Sequence, residues 1–481
     1  MERVEEVKKK LKEDIRGWEE EIFSFACDLA QTLAKDIVEE LDNELMQERD
    51  EGMKVVAYKE HWLTTIFGDI RVKRRLYRDK NGNYHFLLDE KMGLDKGSHV
   101  SPKMKELAIL ASTRYTFREV EQNIKAIFPW GISHTTAHNL SGKVADSYIA
   151  EEEKEVNALF EDGVIPESNG KVAPYLVVEA DGVNIALQRE EERRTEVKVG
   201  IAHEGWQEIS KNRYKLKEKS VYSGIMNGDR FWEGFSLSLA KKYDLSQIGK
   251  VIVGGDGASW VKEGAELLGG LYELDRFHLK RALHQGLAND PLVVGVYESC
   301  IRGEISKVDR LLIEAQEKAS RDKAKEIMRL RGYLMENCYG LRDYRLEVDG
   351  DGLRGLGAIE GNVDKLIADR MKKRGMSWTK RGADRMARLI SLGEQGNLNT
   401  WVKYQTRARH IPSREKAMLK GDQYQDRDNA AWLSAGLPAL HGPHSDRPWV
   451  RILWALAHGN MEAQLMLAVR DSYLPTLDSN N

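Results

Sequence analysis

Residues 251–260 read VIVGGDGASW. A run of Val and Ile halted by Gly is the pattern of a buried strand that stops abruptly, so Asp256 stands where a sheet edge opens to solvent. Asp181, in the stretch VVEADG at 177–182, repeats the placement: an apolar strand, then Asp-Gly at its end. Around these two points the segments PYLVVEADGVNIALQ (174–188), EVKVGIAHEGWQEI (196–209) and KSVYSGIM (219–226) predict three successive strands. GDRFWEGFSLSLAKKY (228–243) predicts a helix, KVIVGGDG (250–257) a fourth strand, and GLYELDRFHLKRALHQGL (270–287) a fifth strand running into a helix. Three strands, a helix, a strand and a strand-helix unit predict a mixed α/β sheet and not a repeating βαβ barrel. Residues 288–345 are charged and helical in pattern, an insertion that parts the fifth strand from the glycine-rich DGDGLRGLG at 349–357 and a helix starting near Ala358, with Glu360 in its first turn.

Upstream, Leu11, Ile15, Trp18, Ile22, Phe25, Leu29, Leu33, Ile37, Leu41 and Leu45 recur every three or four positions and predict one long amphipathic helix. Such a helix either folds back on a core or self-associates. Residues 60–90 turn to a β pattern in HWLTTIF, DIRVKRRLYR and NYHFLLDE, with Asn81-Gly82 as a hairpin signal. After Pro102 the pattern is helical again. Thr116 with Glu119 forms a capping-box signature and Ser133 caps the next helix. Two helices joined by a short turn, the second opening with small polar residues, have the sequence form of a helix-turn-helix, whose groove-facing candidates are His134, Thr135, His138, Asn139 and Lys143.

Of the 481 residues 31% are charged, and no apolar run approaches the roughly 20 residues that a membrane span needs. The charged start, MERVEEVKKKLKED, lacks the apolar core of a secretory signal, so a cytoplasmic location is expected. Cys27, Cys300 and Cys338 lie far apart with no CxxC pair, which argues against a disulfide framework and against zinc. The net charge of -3 hides an uneven spread: residues 1–50 carry -8 and the remainder +5. Residues 370–388 hold eight Lys/Arg against one Asp, and RVKRRLYR (71–78) is a second cluster. Local patches matter to a phosphate backbone more than the global sum.

Each acid alone has an ordinary reading: a strand-end Asp-Gly makes turns, and a first-turn Glu complements the helix dipole. Together they fit metal-assisted phosphodiester chemistry, in which two Mg²⁺ ions neutralise the attacking and leaving oxygens and hard carboxylate ligands hold them. Asp181 and Asp256 on neighbouring strands and Glu360 on a helix packed alongside converge at one end of the sheet. Glu179, Asp364 and Asp351 are rival carboxylates.

The strand and helix order also resembles the RNase H-like core of DDE transposases with an all-helical insertion. ELDRFHLKR, with Asp275 and His278, resembles the Asp-x-x-His motif of mutator-type transposases, and GLGAIEGNVDKLIADRMKKRGMSWTKRGADRMARL resembles the third-carboxylate segment of ISLre-type bacterial insertion-sequence transposases. The likeness extends over nearly the whole chain, including the LPALHGPHSDRPWV stretch near its end.

The resemblance implies a catalytic, metal-binding triad of Asp181, Asp256 and Glu360, spaced 75 and 104 residues apart. It implies Mg²⁺ as cofactor, with Mn²⁺ as substitute, and supporting roles for Asp275 and His278. Double-stranded DNA would be the partner, both as terminal inverted repeats and as target, and a homodimer or larger homo-oligomer would assemble on it. The basic residue that the broader pattern carries seven places after the Glu is here Ile367. Arg370, Lys372, Lys373, Arg374, Lys380 and Arg381 are the cations expected at the DNA, and Trp260 and Trp378 are candidates for stacking on an unpaired base.

The implied layout is a long N-terminal helix (1–55), a basic hairpin region (56–98), a helix-turn-helix domain (99–165), a catalytic domain (166–290 and 350–395) with a helical insertion (291–349), and a C-terminal region (396–481). Two other functions fit the same residues: a DNA-binding regulator that kept the fold without the catalysis, and a nuclease that hydrolyses without strand transfer.

Overall fold

The computed structural model describes residues 2–402 other than 14, 129, 289 and 351. The LPALHGPHSDRPWV stretch, nearly all of the C-terminal region and Asp351 therefore lie outside the described residues. The chain divides into two compact units, which meet in sequence between Asp146 and Ser147 and between Gln395 and Gly396.

The first unit opens with α1 (Glu2–Glu13), a 3₁₀ turn (Ile15–Gly17) and α2 (Trp18–Glu48). The single helix expected from the periodicity is thus interrupted, at a Gly that lowers helix propensity. Next come β1 (Lys54–Thr65), β2 (Gly68–Arg78) and β3 (Tyr84–His85), an antiparallel sheet in that order. NYHFLLDE, expected as a strand, pairs only through its first residues; from Leu87 it becomes α3 (Leu87–Met92). Val38, Leu41 and Leu45 of α2 pack on Leu63, Ile70, Val72, Leu88 and Leu94. Glu39 and Asp42 accept the N–H groups of Lys73 and Arg75 along β2, and the Arg75 guanidinium pairs with Asp42 at 2.5 Å. This half of α2 therefore has its core, while Ile15, Trp18, Ile22, Leu29, Leu33 and Ile37 stay exposed.

α4 (Pro102–Ser112), α5 (Phe117–Ile127) and α6 (His134–Phe160) complete the unit, the last continuing into the second. The capping box is formed: the Thr116 hydroxyl accepts from Glu119 N and the Glu119 carboxylate accepts from Thr116 N. The Ser133 hydroxyl accepts the Thr136 N–H at 3.1 Å, as a cap does.

The second unit is built on five strands: β4 (Leu176–Ala186), β5 (Arg194–His203), β8 (Ser220–Gly224), β9 (Val251–Gly255) and β10 (Leu271–Leu274). EVKVGIAHEGWQEI is not one strand. It turns at Glu204-Gly205, and its end forms a separate hairpin of β6 (Trp206–Ser210) and β7 (Arg213–Leu216). The sheet order is β10-β9-β4-β5-β8, with β4, β9 and β10 parallel and β5 antiparallel to both β4 and β8.

Alternation along β4 decides what lies on each face. Leu176, Val178 and Ala180 join Phe231, Trp232 and Phe235 of α7 (Gly228–Lys242) and Val261 and Ala265 of α8 (Ser259–Leu267). Tyr175 and Val177 turn the other way, with Ile252, Tyr344, Val348 and Leu356. Glu179 and Asp181 follow on this second face, where α13 (Ala358–Val363) packs on β4 and β5.

Between them come α9 (Arg276–Leu287), α10 (Leu292–Arg302), α11 (Ile305–Lys318) and α12 (Arg321–Glu336), whose leucines share one core with Leu274. Beyond α13 a π-helical turn (Asp364–Ala368) leads to α14 (Asp369–Met371), and α15 (Lys380–Glu394) covers β8. The architecture is a mixed α+β fold around a mixed five-stranded sheet, and among the described residues no helix is long and apolar enough to cross a membrane.

Candidate active site

β4 and β9 pair in parallel through Glu179↔Gly254, and β9 and β10 through Gly255↔Leu274. Carried past the last paired residues, that register sets Asp181, Asp256 and Asp275 in a row. Asp256 and Asp275 stand just past the carboxyl ends of β9 and β10, whereas Asp181, expected at a strand end, lies inside β4, which runs on through Asp-Gly to Ala186 in its pairing with β5. This edge of an open sheet is where ligands bind in α/β folds.

Backbone donors shape each acid. The Asp181 carboxylate accepts the Gly182 N–H at 2.7 Å. Asp256 accepts the Ala258 N–H at 2.9 Å, and its carbonyl accepts the Tyr333 hydroxyl of α12 at 3.0 Å. Asp275 caps α9 through the Phe277 N–H at 2.6 Å, while its own N–H donates to the Gly255 carbonyl at 2.8 Å. Gly257, at φ +97°, adopts a backbone that L side chains rarely take, directly after Asp256.

Burial pushes the Asp181 carboxyl up to about 6; the Gly182 N–H opposes that rise, Asp256 and Asp275 add to it, and His278 counters it. Burial also raises Asp275, against its hydrogen bond from Phe277 and the pull of His278. Asp181, Asp256, Asp275 and His278 are therefore within electrostatic reach of one another. The His278 Nδ1 is buried without a hydrogen-bond partner among the described residues. The sequence motif is brought to the site in the fold, since Asp275 and His278 both act on Asp181.

Glu360 stands differently. It lies in the first turn of α13 and is exposed, and no hydrogen bond or ion pair ties its carboxylate among the described residues. The acid that does hold this helix is Glu179, 1% exposed, whose Oε2 accepts the N–H groups of Gly357 at 2.6 Å and Ile359 at 3.3 Å. Its Oε1 faces His203 Nε2 at 3.4 Å. The sequence marks Glu179 only as a rival carboxylate. The signal for its role was its alternation onto the same face as Asp181, combined with the unsatisfied N–H groups that every helix start presents.

A hard divalent cation suits this donor set in kind, because Asp181, raised by burial and then by the charges of Asp256 and Asp275, gains from a nearby positive charge. Even so, among the described residues no three His, Cys, Asp or Glu side chains stand close enough together to hold an ion. The structure brings Asp181 and Asp256 together and leaves Glu360 outside that group.

The expected DNA-facing residues divide as well. His134, Thr135, His138, Asn139 and Lys143 are exposed on the opening turns of α6, with His134 bonded to Glu121 at 2.7 Å and His138 edge-on to Phe117. Lys372, Lys373, Arg374, Lys380 and Arg381 are exposed, Lys373 pairing with Asp364 at 2.6 Å and Asp369 at 2.9 Å. Arg370 corrects the expectation. It is 2% exposed, its guanidinium lies 5.2 Å from the Trp378 ring centroid, and a buried cation of this kind meets no phosphate. Trp378 is buried in the core with its Nε1–H on the Met371 carbonyl, and so is no stacking platform, whereas Trp260 is partly buried, packed against Phe231 and Trp232 with Lys198 over its ring.

The chain belongs to the uncharacterised protein family UPF0236, whose model matches residues 10–408. A UPF0236 protein from Caldanaerobacter subterraneus subsp. tengcongensis is 24% identical over 372 residues, covering 75% of this chain and 73% of the relative. A second from that organism, at 24% over 369 residues, 75% of this chain and 73% of its own, has a name that joins eleven locus designations. A UPF0236 protein in the vanSb 3′ region of Streptococcus gallolyticus is 24% identical over 442 residues, 89% of this chain and 93% of the relative.

Proposed function

We propose that this UPF0236 member is a DDE transposase of a bacterial insertion sequence, working in the cytoplasm on DNA with an RNase H-like catalytic unit. The observation that carries the reading is that Asp181 of β4 and Asp256, just past the end of the neighbouring parallel strand β9, stand close enough for one charge to act on the other, beside α13, which packs on β4. Support also comes from strand order. Counted along the chain, the five strands lie 3-2-1-4-5 across the sheet, the order expected of an RNase H-like core, with a helical insertion before the helix of Glu360. The relative whose name joins eleven loci of one genome fits a gene carried in repeated copies, as mobile elements are.

In this reading Asp181, Asp256 and Glu360 would hold Mg²⁺, or Mn²⁺ as substitute, which when bound would supply charge neutralisation for the attacking and leaving oxygens of a phosphodiester. The chain's own residues prepare that place. Asp256 is fixed by Ala258 N–H and by Tyr333 from the insertion, and His278 moderates the negative field at Asp181. Glu179 sets where α13 begins, and so where Glu360 can reach. Exposed cations on the segment after α13 offer phosphates a path to the edge. Water would add to the phosphodiester at the element end, breaking its bond to the element's 3′-oxygen and leaving a 3′-hydroxyl there and a 5′-phosphate on the flank. That hydroxyl would then attack a target phosphodiester and displace a target 3′-hydroxyl.

The test is cleavage of DNA carrying the element's ends by the full chain in Mg²⁺. Nicking that disappears in Asp256→Asn is expected, together with joining of a pre-cut end to a plasmid. Nicking without joining would leave a nuclease. The exposed stance of Glu360 favours a second reading, a DNA-binding regulator without catalysis, and binding of the ends with no metal-dependent nicking would establish it.

A further inference from the structure

β1 and β2 turn one face to α2 and the other to solvent. On the outer face the register opposes Trp62 to Arg71 and Glu60 to Lys73, with Arg71 ion-paired to Glu60, while Tyr58 is opposite Arg75, whose guanidinium is buried against Asp42 of α2. Trp62 is 55% exposed and Tyr58 52%, although nothing in strand formation requires large aromatic rings in water. Cations lie over both. The Arg71 guanidinium sits 5.5 Å from the Trp62 centroid, and Lys73 and Arg75 sit 5.0 and 5.1 Å from that of Tyr58. Residues 54–78 carry seven Lys/Arg against Glu60 and Asp69, a net of +5 in a chain of net -3.

From these we infer that the outer face of the β1–β2 hairpin binds single-stranded nucleic acid, with Trp62 and Tyr58 as stacking platforms and Arg71 and Lys73 as phosphate contacts. Aromatic rings interleaved with cations are what an unpaired strand requires, since every base has a π-face and every linkage a charge. A protein partner of ordinary composition gains little from a +5 ribbon. A duplex hides its base faces, so it would engage the cations and leave the rings without use. Spacing points the same way. Four residues of strand separate Tyr58 from Trp62 by about 13 Å. Stacked duplex bases rise only about 3.4 Å per step, so the two rings fit non-adjacent bases of an extended strand. The inference deepens the proposed function, where a cleaved end supplies unpaired bases, but the surface is chemically independent of the acids.

The experiment therefore uses the full chain in EDTA, where cleavage plays no part, and measures fluorescence anisotropy of a labelled mixed-sequence single-stranded 20-mer and of its duplex. Tighter binding of the single strand is expected. Trp62→Ala should weaken it by about 5- to 100-fold and Tyr58→Ala by a smaller factor. Lys73→Gln should weaken both forms and flatten the salt dependence. Both rings are exposed, and an unchanged circular dichroism melt confirms that the variants fold. The inference is overturned if the full chain fails to bind the single strand, if Trp62→Ala binds it like the parent, or if the duplex binds more tightly and equally in both. It is also overturned if Trp62→Ala abolishes self-association and leaves oligonucleotide binding intact. Failure of metal-dependent nicking with this binding preserved would count against the catalytic reading alone.

Discussion

A carboxyl pushed up to about 6, as that of Asp181 is, works against the fold at neutral pH. Its folded value stands above its ordinary 3.8, so between about pH 4 and 6 the folded state holds a proton that the unfolded chain has released. Stability from this group is present at low pH and lost as pH rises through 6. Asp181→Asn should therefore raise the apo melting temperature at pH 8, by on the order of 1–3 kcal/mol of unfolding free energy, and change little near pH 4. Calorimetry at the two values checks this; an equal effect at both would remove the electrostatic account of the pair. The same residue gives the sign for metal. Mn²⁺ affinity should fall as pH drops below about 6, because the ion must then displace a proton.

Among the elements, the part of α6 that lies in the second unit is anchored there by a buried cluster. Glu152 pairs with Arg388 of α15 at 2.7 Å and accepts the hydroxyls of Tyr148 and Tyr222, each at 3.1 Å. Glu152→Ala leaves the buried Arg388 guanidinium with Asp384 at 3.8 Å and should cost about 3–5 kcal/mol in denaturant unfolding; a cost under about 1 kcal/mol would mean the cluster is solvated. α13 depends on Glu179 in a comparable way. Glu179→Ala frees two helix-start N–H groups and His203, and should cost about 2–4 kcal/mol while lowering metal-dependent activity further than a control of equal stability.

The two kinds of element differ in how far the sequence foretold them. Strands β4 and β9 were legible because burial on both faces favours aliphatic runs such as LVV at 176–178 and VIV at 251–253. The break between β5 and β6 was not, since WQEIS continues the alternating pattern past Gly205 and only a partner strand reveals the turn. Asp256 was legible from its halted run, whereas β4 continues past Asp181-Gly182 to Ala186, so the same signal misplaced Asp181 at a strand end. Arg370 was misread because charge runs look alike in sequence whether they face water or, as here, a Trp and a Met in the core.

At the scale of the whole molecule, the apolar residues Trp18, Ile22, Leu29, Leu33 and Ile37 of α2 are exposed in the single chain. A stripe of that length is often covered by association, and the proposed joining of two DNA ends would require two active units. Leu29→Asp with Leu33→Asp should convert a dimer to a monomer in light scattering while leaving the circular dichroism spectrum intact; a parent chain that is monomeric at micromolar concentration would contradict this.

The account as a whole stands on one claim, that Asp181 and Asp256 share a divalent ion which Glu360 completes. Titration of Mn²⁺ into the full chain, read by electron paramagnetic resonance and compared with Asp181→Asn, Asp256→Asn and Glu360→Gln, measures this directly. Binding lost in both aspartate variants and weakened about 10-fold or more in Glu360→Gln is the predicted result; parent and variant chains that bind Mn²⁺ alike, or a parent that binds none with or without DNA, would contradict it.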